Sequence, residues 1–212
     1  MKEITRLKGI HPWVWLRRFR YRRGYGVHSP FAFSFLTFVV YEKAAYYKYK
    51  ELDEAQQQQV SLKGHEWAYA ETRKLKRLLF RIANWAQPQQ MVDVGPKSAA
   101  ELFLKAARTN ADWLKAENMD ELRVRCTDGV EFLYLHDYRH PAFVREAFQH
   151  CVAKTSAQSV FVIAGIGYST AMKELWQQIK QHPKTGISFD LYDVGVVCFD
   201  PNKIKQHYIV NF

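Results

Sequence analysis

Residues Met91-Val92-Asp93-Val94-Gly95-Pro96-Lys97-Ser98-Ala99-Ala100-Glu101 constrain the fold more than any other stretch of this chain. An apolar run ends in Asp-x-Gly and passes at once into helix-forming residues. A strand that turns through glycine into a helix aims backbone N–H groups and a carboxylate at one point, which suits a nucleotide-like ligand. Such loops normally carry two or three glycines. Here Gly95 is followed by Pro96, which has no N–H to donate, and by Lys97, which adds bulk and positive charge.

The pattern on either side extends the reading. Leu75, Leu78, Leu79 and Ile82 recur at helical spacing within 65–86, ringed by Arg73, Lys74, Lys76, Arg77 and Arg81, and Pro88 follows the end. After the first strand the spacing predicts helices over 98–109 and 111–119 and strands over 121–126 and 130–136. A helix over 141–153, a strand over 159–164 and a helix over 170–181 follow. Strands at 186–193 and 195–199 are joined by so short a link that they form an antiparallel hairpin. A short helix from Pro201, capped by Asp200, leads to a terminal apolar segment, Tyr208-Ile209-Val210. Alternating strands and helices imply an α/β fold with a mostly parallel sheet. Before it, Ser29 and Pro30 read as the cap and first position of an aromatic-rich helix reaching about Tyr47. The division expected is a basic, aromatic-rich helical region, 1–64, and an α/β domain, 65–212.

Composition narrows the classes. A hydrophobic fraction of 48% over 212 residues supports a folded core. No run of about 18 apolar residues is present, so no transmembrane segment is expected. No secretory leader is seen either, and three widely spaced cysteines without a C-x-x-C pair suit reduced thiols, so a cytoplasmic setting is expected. The net charge of +10 is uneven: residues 1–23 hold eight Lys or Arg against Glu3 alone. Within 11–23 five arginines interleave with Trp13, Trp15, Phe19 and Tyr21. That arm suits phosphates and bases of a nucleic acid, an anionic membrane surface, or simple packing of its aromatics on the body.

Three segments carry a resemblance: Tyr25-Gly26-Val27-His28-Ser29-Pro30-Phe31-Ala32-Phe33, Val92-Asp93-Val94-Gly95, and the run Ile187 to Phe199 with the closing Lys205-Gln206-His207-Tyr208. Together they resemble class I S-adenosylmethionine-dependent methyltransferases, and among them a methyltransferase-like group common in Bacteroidetes. The resemblance implies a Rossmann-like sheet ending in an antiparallel hairpin, and methyl transfer from S-adenosylmethionine to an acceptor the sequence does not name. It places the cofactor at Asp93, Gly95 and Ser98. It places catalytic groups at the strand tip, His136 and Asp137, where a carboxylate beside an imidazole suits a general base, with His140 near. The family grips the cofactor ribose with an acid at the tip of its second strand, for which Glu117 and Asp120 are the candidates. Only residues 96–129 separate Gly95 from the strand at Val130, too few for both the second and third strands of that fold. Ala164 and Gly165 stand where the family has paired aspartates, so no metal is expected. Gly167-Tyr168-Ser169-Thr170-Ala171 reads as a helix cap in preference to a nucleophile elbow with Asp190 or Asp193 and His207. The alternatives to a working enzyme are an inactive methyltransferase-fold binding module and a binder of nucleic acid or anionic membrane through 11–23.

Overall fold

The computed structural model describes residues 5–6, 16, 18–19, 26–44, 46–63 and 69–212. Its helices are α1 (Pro30–Phe35), α2 (Lys48–Lys63), α3 (Arg73–Ala86), α4 (Ala100–Ala107), α5 (Met119–Arg125), α6 (Pro141–Val152) and α7 (Thr170–Gln181). Its main strands are β1 (Gln90–Val94), β2 (Asp112–Ala116), β3 (Val130–Leu135), β4 (Thr155–Ala164), β5 (Ile187–Asp190), β6 (Val194–Cys198) and β7 (Gln206–Ile209). They form one seven-stranded sheet in the order β2-β1-β3-β4-β6-β5-β7. β2, β1, β3 and β4 are parallel, β6 runs antiparallel between β4 and β5, and β7 lies parallel to β5 at the far edge.

The central strands are apolar throughout. Phe132 to Leu135 of β3 and Val160 to Ala164 of β4 are all buried, as expected for strands covered by helices on both faces. The α3 stripe Leu75, Leu78, Leu79 and Ile82 is buried, Thr72 accepts from the Leu75 amide to cap it, and Gln87 ends it in a left-handed conformation before Pro88. Ser29 caps α1 with Pro30 at its start, and Ser169 caps α7. α1 continues as a π-helical turn, Leu36–Val40, and not as a helix to Tyr47. The guanidinium of Arg81 closes that turn by donating to the Val39 and Val40 carbonyls at 2.6 and 3.2 Å. Ala32, Phe35, Leu36 and Val40 share the main core with Leu78 and Ile82, and the Phe35 ring sits 4.6 Å from Phe189 of β5.

The segment between β1 and β3 corrects the sequence reading. Residues 111–119 hold a strand, and 121–126 lie mostly in a helix; the two expected types are exchanged. Asn118 decides this: its side chain accepts from the Glu121 amide at 2.9 Å, while Glu121 reaches back to the Glu117 amide at 3.0 Å. That reciprocal cap starts α5 and forces Asp112–Ala116 to be its incoming strand. One strand occupies 96–129, as the short span requires, and β2 is therefore an edge. After Asp200 the chain makes a turn held by the Asn202 amide on Asp200 Oδ1, and no helix forms. The arm 11–23 lies outside the described residues except for Leu16, Arg18 and Phe19; Arg18 pairs with Asp190 at 2.8 Å. No helix among the described residues is long and apolar enough to cross a membrane.

Candidate functional site

β2 and β3 follow β1 in sequence but flank it on opposite sides. The carboxyl tips of β1 and β3 thus bound the crevice where open α/β sheets take ligands. The register places Lys115, Asp93 and Tyr134 side by side across β2, β1 and β3, so their side chains share one row. Asp93 is 1% exposed, and both its oxygens are engaged. Oδ1 accepts from His136 Nε2 at 2.7 Å, and Oδ2 accepts from Lys115 Nζ at 2.9 Å. Lys115 also donates to the Pro96 carbonyl at 3.0 Å, which ties β2 to the loop. The Tyr134 ring stacks on the His136 ring at 4.7 Å, and its hydroxyl donates to Glu71 Oε1 at 3.3 Å.

Gly95 earns its place here. Its φ is +140°, and a Cβ built on it would stand 2.9 Å from the His136 ring. The glycine at the tip of β1 is required because this chain's own imidazole seats against it. Gly165, at the tip of β4, repeats the arrangement: φ is +68° and a Cβ would fall 2.3 Å from Cβ of Tyr138.

Two carboxyls at this tip are driven in opposite directions. Burial pushes Asp93 up, but the His136 and Lys115 charges and hydrogen bonds outweigh it and hold Asp93 below the usual carboxylate range. Burial pushes Glu71 up, with the His136 charge offsetting only part, and its Oε2 has no hydrogen-bond partner among the described residues. Carboxyls split in this way mark acid–base sites more often than chance allows.

The sign of the Glu71 effect is testable. A carboxyl whose folded pKa is raised stabilises the fold fully below its unfolded value and loses that contribution as pH rises through the folded value. Unfolding free energy of the native chain is therefore expected to fall as pH climbs from the ordinary glutamate range to the raised Glu71 value. Glu71→Gln should flatten that slope and leave the acid-side slope set by Asp93 intact. Identical pH profiles for the two chains would remove Glu71 from this role.

The structure brings His136, Asp93 and Gly95 together, as a closed cluster. Ser98 is buried, and its hydroxyl accepts from the Ala100 amide at 3.2 Å, opening α4. Lys97 is exposed; the cation at the loop is Lys115. Asp137 turns from His136 to His140, whose Nδ1 lies 2.9 Å from Oδ1. The His140 imidazole is exposed beyond that contact. Glu117 is exposed at the tip of β2, and its carboxylate makes no hydrogen bond or ion pair among the described residues. Asp120 lies on α5 and pairs with Arg123 at 3.6 Å. Ser169 Oγ serves the Met172 amide and His207 Nδ1 meets Ser188, so no hydrolase triad assembles. Among the described residues no group of three His, Cys, Asp or Glu is arranged to hold a metal. Glu71, Lys115 and Tyr134 escaped the sequence reading: Lys115 was hidden by the exchanged helix and strand, and Glu71 carries no local signal.

No family model matches the chain, and no curated protein matches it. Solved structures do. The SAH-bound methyltransferase PaMTH1 of Podospora anserina aligns with a TM-score of 0.51 at 8% identity, covering 75% of this chain and 90% of that one. A methyltransferase from Geobacter sulfurreducens aligns with a TM-score of 0.50 at 12% identity, covering 76% and 91%. Identities this low speak for architecture. With the parallel sheet, its antiparallel turn-back and the ordering of the strands, the chain has the Rossmann-like methyltransferase fold.

Proposed function

We propose that this chain is a methyltransferase-type protein that takes an S-adenosyl ligand across the tips of β1 and β2. The observation that carries this reading is Glu117. It is an exposed carboxylate with no partner among the described residues, directly after the last residue of the strand beside the Asp-x-Gly turn. A vicinal diol needs an acceptor of that kind, and the ribose end of the ligand fits there. The β1 loop fits less well. The His136 ring packs on Gly95, and Lys115 holds the Pro96 carbonyl that the loop would otherwise offer. The Lys115 ammonium is paired with the Asp93 carboxylate, so it sets no net charge against a sulfonium and both S-adenosylmethionine and S-adenosylhomocysteine can be taken.

The residues divide the work. Glu117 receives the ribose hydroxyls. Asp93, Lys115 and His136 fix the loop as positioning residues. His140 is the exposed imidazole; with Nδ1–H donated to Asp137, Nε2 keeps its lone pair and can accept a proton from an acceptor hydroxyl. S-adenosylmethionine would supply the methyl group when bound.

Calorimetric titration tests the reading. Binding of both S-adenosylhomocysteine and S-adenosylmethionine is expected. Glu117→Gln should weaken it by about tenfold or more, the cost of one charge-assisted hydrogen bond pair. His140→Ala should leave the titration unchanged and abolish methylation of any hydroxyl acceptor the native chain turns over. Silence of the native chain at millimolar ligand would end the proposal.

A further inference from the structure

A second feature has no part in the site at β1 and β3. A cavity of ≈ 570 Å³ opens between the first half of α3, the end of the π-helical turn and the segment after β7. Its walls carry Lys43, Arg73, Lys74, Arg77 and Arg81, with Glu42 as the one acid among the lining residues. Arg73, Arg77 and Arg81 follow one another at i, i+4 and i+8 on α3, where like charges disfavour the helix.

The available carboxylates do not neutralise this group. Arg73 and Arg77 share a single oxygen, Asp53 Oδ2, at 2.7 and 3.0 Å. Glu42 spends Oε1 on the Ala44 amide at 2.5 Å. Five side-chain cations thus face two side-chain carboxylates. Arg81 is buried and held on the Val39 and Val40 carbonyls, so it cannot swing to solvent. Arg77 Nε is buried and has no hydrogen-bond partner among the described residues. Burial, and then the nearby Arg81 charge, hold the Lys74 ammonium below the usual lysine range, and its Nζ lies 3.9 Å over the Phe212 ring. The cavity keeps a fixed positive charge and room for a small ligand.

We propose that this cavity binds a phosphate ester, with Arg73 and Arg77 presenting guanidinium forks to its oxygens and Lys43 and Lys74 closing over it. Phosphate is favoured over a carboxylate because its tetrahedral oxygens match paired forks, and the charge of a monoester approaches the excess in the cavity. The ester belongs either to a small phosphorylated molecule or to the backbone of a single-stranded nucleic acid. The proposal is independent of the S-adenosyl ligand.

The test uses the full chain with two probes, pyrophosphate by calorimetry and a fluorescent oligouridylate by anisotropy, at low and raised salt. Binding of at least one probe is expected, and it should weaken as salt rises. The double variant Lys43→Glu/Lys74→Glu reverses two charges on exposed residues, gives up the Lys74 contact with the Phe212 ring, and should weaken it by about tenfold or more. Arg77→Lys keeps the charge but loses the planar fork, and should weaken pyrophosphate by about fivefold. Loss of both probes in the double variant assigns a free phosphate ester and a backbone alike; loss of the RNA probe alone, with pyrophosphate never bound, assigns the backbone. RNA binding that survives the double variant lies elsewhere on the chain and overturns the proposal. So does the absence of saturable binding of either probe to the native chain.

Discussion

Gly165→Ala is expected to lower the thermal midpoint by roughly 6–12 °C. The new methyl would fall 2.3 Å from Tyr138 Cβ and 2.4 Å from Cγ. These are the rigid root of a buried side chain, so a rotamer change does not clear them. The backbone adds its own strain, since φ at this position is +68°. Overpacking and strain together cost about 3 kcal/mol, and each kcal/mol moves the midpoint of a chain this long by roughly 2–4 °C. Gly165→Ala added to a Tyr138→Gly background should cost less than in the native chain, because that background lacks the Cβ and the ring atoms the methyl meets. A single variant that melts with the native chain would show that Tyr138 does not rest on Gly165.

Asp93→Asn should be at least as damaging. It removes the carboxylate that Lys115 pairs with and that lies 2.7 Å from the His136 ring nitrogen, and leaves a largely buried ammonium without its counter-ion. Breaking a buried pair in this way costs about 3–5 kcal/mol. The loss is expected at neutral pH. It should shrink in acid, because the native carboxylate protonates as pH falls through its depressed value and surrenders the same contribution. Chemical denaturation of both chains from neutral to acid pH measures this. Asp93→Asn/Lys115→Met should restore part of the stability by removing one orphaned charge. Equal stability of Asp93→Asn and the native chain at pH 7 would overturn the hub. The consequence for ligand work is direct: an Asp93 variant reports first on folding, and Glu117 is the cleaner probe of binding.

Much of the architecture was legible because it rests on local signals. Ser29-Pro30, Ser169 ahead of Thr170, and Pro88 after the α3 stripe mark helix ends by caps and missing N–H groups, and each holds. The hairpin of β5 and β6 follows from the shortness of its link. The exchange of helix and strand between 111 and 126 shows the limit. Asp112 to Ala116 is an edge strand with one buried residue, so its apolar alternation is too short to outweigh helix-forming Leu, Lys, Ala and Glu. The deciding mark, Asn118 three residues before Glu121, was present but reads clearly only as the opening of a helix at 119. The places of Asp93, Gly95 and His136 at the tips of β1 and β3 were legible from the turn and the strand pattern; the pairing of Asp93 with His136 was not. Glu71 was not, because its approach to Tyr134 spans 63 positions of chain and no spacing rule reaches that far.

The strand that ends the sheet on the β2 side has a further consequence. A parallel sheet stopping there offers a row of outward amides and carbonyls on which a second chain could template itself. The outward carbonyl of Lys115 is already taken by Arg125 Nη1 of α5 at 2.8 Å. The strand is only five residues long, with Asp112 exposed at its start. Short length, a charge at the border and an arginine clasp are the means by which proteins discourage strand-by-strand growth into fibrils. α5, whose capped start turned Asp112–Ala116 into an edge, thus also protects the protein from self-assembly along that edge.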